Sequence, residues 1–174
     1  MIPPTVALGA AIRRGVTAGI DRANLPAEEA RMTVKTILAR KGNNVVTIEP
    51  NATLAQAAKL LAERRIGAVL VLGIEGRVAG ILSERDIVRV LAERGAAVLN
   101  ERVEQVMTRK VFTCGESDTV AKVMEQMTGG KFRHVPVVDQ GHPIGIISIG
   151  DVVNHRLHEI ESESEALREY ILTA

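Results

Sequence analysis

Residues 80–89 read G-I-L-S-E-R-D-I-V-R, and a weaker copy, G-I-I-S-I-G-D-V-V-N-H-R, occupies residues 145–156. Gly80 aligns with Gly145, Ser83 with Ser148 and Asp86 with Asp151, at an offset of 65 residues each time. In both copies an apolar pair meets Ser-x-x-Asp, and a new apolar pattern follows. This reads as a strand ending in a polar corner from which a helix starts, with Ser as the cap and Asp in the first turn. A free helix N-terminus beside a carboxylate is also a small-molecule corner. Backbone N–H groups and Ser suit a phosphate, and Asp can accept from two adjacent hydroxyls of a sugar. Capping alone accounts for one Ser-x-x-Asp. Its return at a fixed offset, with the same flanks, points to a duplicated unit.

The 174 residues amount to one or two small domains. At 46% hydrophobic and 25% charged, the composition is that of a soluble globular protein. A net charge of +1 gives no electrostatic reason to expect nucleic acid or an anionic membrane as partner. No Trp, one Tyr and two Phe weigh against a base-stacking platform. The single Cys excludes an intrachain disulfide and fits a reducing compartment, so a cytoplasmic location is expected. No apolar run approaches the length of a membrane span.

Residues 1–31 differ from the rest. Val6 to Ile12 are weakly apolar and Arg13-Arg14 follow them, the reverse of a secretory signal's order. Leu25-Pro26-Ala27-Glu28-Glu29 can open a short helix. Met32 begins a clean new pattern, so residues 1–31 are read as a loosely ordered extension and Met32 as an alternative start. A short docking helix is the other option.

The first repeat spans residues 33–96. Val34 to Leu38 read as an apolar turn, and Val45-Val46-Thr47-Ile48 as a strand. Thr53-Leu54-Ala55-Gln56 is a capping box opening a helix whose one face carries Leu54, Ala57, Ala58 and Leu61. Ala68 to Leu72 form a continuous apolar strand, as for one buried on both faces. Glu75-Gly76-Arg77 is a turn. Val78 to Leu82 are the next strand, and Asp86 to Arg94 the next helix. The second repeat, residues 102–158, retraces these steps. Arg109-Lys110 echo Arg40-Lys41, Val111-Phe112-Thr113-Cys114 is its first strand, and Thr119 starts its helix. Val135-Pro136-Val137-Val138 is its buried strand and Pro143 to Ile147 its last. Residues 159–174 form a C-terminal helix or tail. Each repeat thus runs β-α-β-β-α. A unit of roughly sixty residues is marginal alone, so the two repeats are expected to pack sheet against sheet. Their cores would then join about a pseudo-twofold axis, with two equivalent clefts between them.

The β-α-β-β-α order, the Thr of V-V-T-I and V-F-T-C and the two G-h-h-S-x-x-D endings resemble tandem cystathionine-β-synthase (CBS) domains, a CBS pair. The resemblance covers residues 33–158 and implies an α/β (α+β) fold. It also implies a stand-alone sensory module, not an enzyme, that binds an adenosyl nucleotide: AMP, ADP, ATP, NAD(H) or S-adenosylmethionine. By the same resemblance Asp86 and Asp151 hold ribose hydroxyls, Ser83 and Ser148 sit near phosphate, and the segments around Thr47 and Thr113 border adenine. It further implies a homodimer that signals to a protein partner in trans, with no metal.

The repeats are unequal where a ligand would touch them. Glu84 and Arg85 lie inside the first motif, where the second has Ile149 and Gly150. The second repeat instead offers Lys131, Arg133 and His134 before its buried strand, where the first has Arg65, Gly67 and Ala68. A cationic cluster at that strand entrance suits phosphates, and solvated or paired side chains are the plain alternative. Sequence leaves open which of the two Asp residues Arg133 serves. Cys114 falls where the first repeat has Ile48, and so reads as core. His155 and His158 are one turn apart on the last helix, without the further ligands that complete a metal site. Leu167, Tyr170 and Ile171 can form an apolar stripe that docks on a partner subunit. The remaining functional alternatives are a structural homodimer with empty clefts and a nucleotide hydrolase. The hydrolase lacks a base, nucleophile and metal constellation.

Overall fold

The computed structural model describes residues 33–173. The expectations for residues 1–31 and for Met32 lie outside the described residues. In chain order the elements are α1 (Val34–Lys41), β1 (Thr47–Ile48), α2 (Leu54–Arg64), β2 (Ala68–Leu72), β3 (Val78–Ser83) and α3 (Glu84–Arg94). A link of short 3-10 turns follows, and then α4 (Val120–Gly130), β4 (His134–Asp139), β5 (His142–Ser148) and α5 (Ile149–Thr173). The first sheet has the order β1-β2-β3, with β1 parallel and β3 antiparallel to β2. In the second, β4 and β5 are antiparallel.

Local sequence explains most of these bounds. Thr53 caps α2 through the expected box: its hydroxyl accepts from the Gln56 N–H, and the Gln56 side chain accepts from the Thr53 N–H. Leu54, Ala57 and Leu61 form the buried face of α2. On β2, Val69 and Val71 enter the core beneath the helices, while Ala68 and Leu70 belong to the opposite face, which is also covered.

Two segments differ from their sequence reading. Val34 to Leu38, expected as a turn, belong to helix α1, which buries Val34, Ile37 and Leu38. Residues 111–114, expected as a strand, contribute only an isolated bridge between Cys114 and Val137. Pro136 supplies the reason. In the first repeat the Leu70 N–H donates to the Val46 carbonyl at 3.2 Å. The matching residue of the second repeat is Pro136, which has no N–H to give to residue 112. What survives is the pair that needs none: Cys114 N–H to Pro136 O at 3.1 Å and Val138 N–H to Cys114 O at 2.8 Å.

The buried side chains form two clusters, not the single joined core expected from two packed sheets. Each cluster borrows the opening segment of the other repeat. Val34, Ile37 and Leu38 pack with Val120, Val123, Val135 and Ile147 of the second repeat. Val98 of the link and Val103, Val106 and Met107 of the second repeat pack with Leu54, Val69 and Leu82 of the first. Backbone hydrogen bonds fix the exchange reciprocally. Val34 and Lys35 donate to Asp118 and Glu116 at 2.9 and 3.0 Å; Val103 and Glu104 donate to Ala52 and Pro50 at 2.8 and 3.0 Å. The motif glycines lie beneath these exchanged segments. A Cβ on Gly80 would stand 2.5 Å from the Met107 sulfur, and one on Gly145 would stand 2.7 Å from Leu38 Cδ2.

Candidate functional site

Both Ser-x-x-Asp corners are helix caps. The Asp86 N–H donates to Ser83 Oγ at 3.3 Å, and the Asp86 carboxylate accepts from the Ser83 N–H and hydroxyl at 3.0 and 2.6 Å. Asp151 and Ser148 repeat this pattern at 3.2, 2.7 and 2.7 Å. Neither helix end is free in the sense needed for a phosphate. The first amide of α3 donates to the Gly67 carbonyl at 3.1 Å, and that of α5 to the Arg133 carbonyl at 2.9 Å. The caps therefore occupy Ser83 and Ser148. Capping takes one oxygen of Asp86, Oδ2; Oδ1 meets Arg89 at 3.4 Å.

Around Asp86 lies a cleft of about 350 Å³ built from both repeats. From the first repeat, Ala68, Ile81, Ser83, Arg85 and Asp86 line it. The exchanged segment of the second repeat supplies Thr108, Lys110, Val111 and Phe112. It is held in place by paired backbone bonds between Ile81 and Thr108 at 3.0 and 2.9 Å. The corner between α4 and β4 supplies the far side, from Gly130 to His134. Phe112 and Phe132 stack there with ring centroids 5.6 Å apart. Any Cβ on Gly130 would overlap the Phe132 ring.

Four cations line this cleft: Arg85, Lys110, Lys131 and Arg133. Arg85 donates to the Lys131 carbonyl at 3.3 Å, and Arg133 pairs with Glu84 at 3.2 Å. Arg133 therefore stands on the Asp86 side, the question that sequence left open. The His134 ring lies against Gly67, where a Cβ would come within 3.0 Å of it. Burial first, then Arg133 and Lys41, hold its pKa below the usual histidine value. At neutral pH it is a neutral imidazole and adds no charge to the cleft.

The Asp151 side differs. Lys41 of α1 forms a salt bridge with the Asp151 carboxylate and also donates to the Ile146 carbonyl at 3.1 Å. Burial pushes the Asp151 carboxyl up, but donation from Lys41 and Ser148 outweighs it and leaves the pKa below the ordinary carboxylate value. Asp151 thus carries a built-in counter-ion, reached through the exchange of α1. The opening beside it, about 410 Å³, is lined by Ile37, Arg40, Lys41, Asn154, His155 and His158 together with Asp151.

Of the residues singled out in the sequence, the Asp86 cleft brings together Ser83, Arg85, Asp86, Lys131, Arg133 and His134. Thr47 and Thr113 are exposed and lie outside the lining of both clefts. Sequence reading missed Lys110, Phe112 and Phe132 as parts of the cleft, and Lys41 as the partner of Asp151. The repeated Arg-Lys pair at 40–41 and 109–110 is the signal that marks both lysines. Among the described residues no group of three or more His, Cys, Asp or Glu is placed to hold a metal, and no helix is long and apolar enough to cross a membrane.

Cys114 is buried, and burial, aided by Asp118, pushes its thiol up to about 12 against the opposing effect of Lys122. A thiol reagent at pH 8 is expected to leave the native protein unlabelled and to label it fully in denaturant. Fast native labelling, followed by mass spectrometry, would contradict this placement.

The sequence model of the CBS domain matches residues 34–93 and 103–158. Among curated proteins, the mitochondrial CBS domain-containing protein CBSX3 of Arabidopsis thaliana is 31% identical over 147 residues. That match covers 80% of this chain and 71% of the relative. The chain spans as little as 24% of other curated relatives it matches. Among solved structures, the CBS-domain containing protein ATU1752 of Agrobacterium tumefaciens superposes with a TM-score of 0.70 at 48% identity, over 72% of this chain and 99% of that one. The CBS domain pair of protein MJ0100, solved with 5'-methylthioadenosine and S-adenosyl-L-methionine, superposes with a TM-score of 0.66 at 28% identity, over 74% and 98%.

Proposed function

Because the chain belongs to the CBS-domain family, as a tandem pair of such domains, we propose that it is a regulatory module binding a phosphate-bearing adenosine nucleotide in the Asp86 cleft. One observation carries this reading: a carboxylate, four cations and both Phe residues of the chain converge on one cleft. With Oδ2 capping α3, Asp86 Oδ1 is the oxygen for ribose hydroxyls, which take it over from the half-exposed Arg89 at 3.4 Å. Phe112 and Phe132 offer an apolar aromatic wall to adenine. Arg85, Lys110, Lys131 and Arg133 meet the phosphates. The Arg133–Glu84 pair does not stand in the way, since both side chains are about half exposed. Such pairs are worth about 1 kcal/mol or less, and a phosphate can take over the guanidinium.

The charge also selects among adenosyl compounds. ATP, ADP, AMP and NAD(H) bring net negative charge to the four cations; S-adenosylmethionine, with a sulfonium and an ammonium against one carboxylate, is net positive. The bound methylthioadenosine and S-adenosyl-L-methionine of MJ0100 support the adenosyl half of the ligand, while the cations of this cleft favour a phosphate tail. The Lys41–Asp151 bridge favours single occupancy. Signalling requires a ligand that binds two conformations unequally. The module then reports to a protein partner in trans, as a homodimer and in the cytoplasm.

Thermal unfolding with AMP, ADP, ATP, NAD, NADH and S-adenosylmethionine tests the reading. A phosphate nucleotide at a hundredfold excess over its Kd is expected to stabilise the fold by about 2.7 kcal/mol, a shift of several degrees. S-adenosylmethionine is expected to shift it less. No shift with any compound would leave a scaffold with empty clefts. Release of phosphate from ATP that is lost in Asp86→Asn would make the protein an enzyme.

A further inference from the structure

Only the start of α5 is anchored to the body. Val152 is buried and His155 and Glu159 are half-buried, on the part of the helix that meets α1 and α4. Beyond Glu159 every described residue is exposed except Ser164, which is partly so. A second line runs beside the anchored one: Val153, Leu157, Ile160, Ser164, Leu167 and Ile171. Its spacing of 4-3-4-3-4 is the 3.5-residue repeat of a coiled-coil seam. The five apolar members are between 45% and 73% exposed, so among the described residues nothing covers them.

The flanking charges identify the occupant. With Leu157, Ser164 and Ile171 at a and Val153, Ile160 and Leu167 at d, Glu161 and Arg168 are e positions, and Arg156 and Glu163 are g positions. In a parallel, in-register pair each g faces the e of the next heptad on the other helix. Arg156 then meets the partner's Glu161, and Glu163 meets the partner's Arg168. All these contacts are between opposite charges, and symmetry doubles them. An antiparallel pair using the whole seam sets Leu157 against the partner's Leu167. Glu161 then faces the partner's Glu161, and Glu163 the partner's Glu163. Arg156 and Glu161 hold partners on their own helix, Glu159 at 3.4 Å and His158 at 3.5 Å. Arg156 and both members of the His158–Glu161 pair are more than half exposed, so their released side chains exchange partners at little cost, and Glu159, half-buried, keeps His155 at 3.8 Å.

We propose that α5, along its exposed seam from Val153 to Ile171, pairs with the same helix of a second copy of this chain as a parallel, in-register two-stranded coiled coil. Ser164, at the middle a position, lowers the stability of the seam, and about three heptads is near the short end for such coils. The association is therefore concentration-dependent. It is independent of the nucleotide reading, since none of its residues lines the Asp86 cleft.

Single-cysteine cross-linking in the full chain tests it, with buried Cys114 left in place as a silent background. Under mild oxidation Ser164→Cys, on the seam, is expected to link two chains. Ser162→Cys, on the outer face, is expected not to. Adding Glu163→Lys to Ser164→Cys should slow linking several-fold, and adding Arg168→Glu to that pair should restore it. No linking at 164 is the result expected if residues 1–31 or another protein cover the stripe, and it overturns the proposal. So would equal linking at 162 and 164, or indifference to the charge changes. The substituted positions are at the surface, and unchanged melting of each variant checks that folding is not the cause.

Discussion

Asp86→Asn is expected to weaken nucleotide binding by about 10- to 150-fold and to leave the fold nearly as stable. The magnitude follows from what the substitution removes. A hydrogen bond to a charged group contributes about 1.5–3 kcal/mol, and each 1.4 kcal/mol is tenfold in affinity. The capping function survives, because the Asn carbonyl can still accept from the Ser83 N–H and hydroxyl as Asp86 Oδ2 does. Asp86→Ala would remove the cap as well and confuse the two effects. At a ligand concentration a hundredfold above the wild-type Kd, stabilisation should fall from about 2.7 to between about 0.3 and 1.4 kcal/mol. Asp151→Asn under the same conditions should leave the ligand-induced shift unchanged, since Lys41 already neutralises that carboxylate. Titration calorimetry on the two variants gives the same comparison directly. A loss confined to Asp151→Asn would move the site to the other side of the module and leave the four cations without a role in binding.

What the sequence made legible was local. Ser83-x-x-Asp86, Ser148-x-x-Asp151 and Thr53-x-x-Gln56 each close within one turn, and all three form the expected caps. The two-sided burial of β2 and the placement of Cys114 in the core were equally readable, the first from an unbroken apolar run and the second from its match to Ile48. What stayed hidden depends on residues far apart in the chain. Lys41 reaches Asp151 and Lys110 lines the Asp86 cleft only because the opening segments change places. Nothing within one repeat encodes that exchange. Phe112 and Phe132 look like a strand residue and a loop residue until the second repeat folds them together. The failed strand at 111–114 was legible in principle: Pro136 sits where its neighbour needed a donor.

Leu38→Ala is expected to destabilise the protein by about 2–5 kcal/mol, the usual cost of a large-to-small change in a packed core. The size of this effect distinguishes the exchange from a surface decoration. Leu38 is 1% exposed, yet apart from Val34 and Ile37 of its own helix its buried cluster belongs to the second repeat. If α1 merely preceded the first repeat, the same substitution would cost about 0.5 kcal/mol or less, as surface changes do. Gly145 gives an independent handle on the same contact. Its backbone is not in the left-handed region, so Gly145→Ala acts through space alone, driving a Cβ to within 2.7 Å of Leu38 Cδ2 and 3.0 Å of Cδ1. Overpacking of this kind costs about 1–3 kcal/mol. In the double variant the new methyl enters room that the shortened side chain has vacated. The two losses should therefore fall short of additive by about 0.5–3 kcal/mol, read as urea midpoints at constant m-value. Strict additivity would mean that residues 38 and 145 do not touch, and the reciprocal exchange would lose its central contact. The motif glycine would then need another explanation. With the contact in place, its role is plain: Gly80 and Gly145 are bare so that each repeat can lay its opening segment across the strand that carries the other's Ser-x-x-Asp corner.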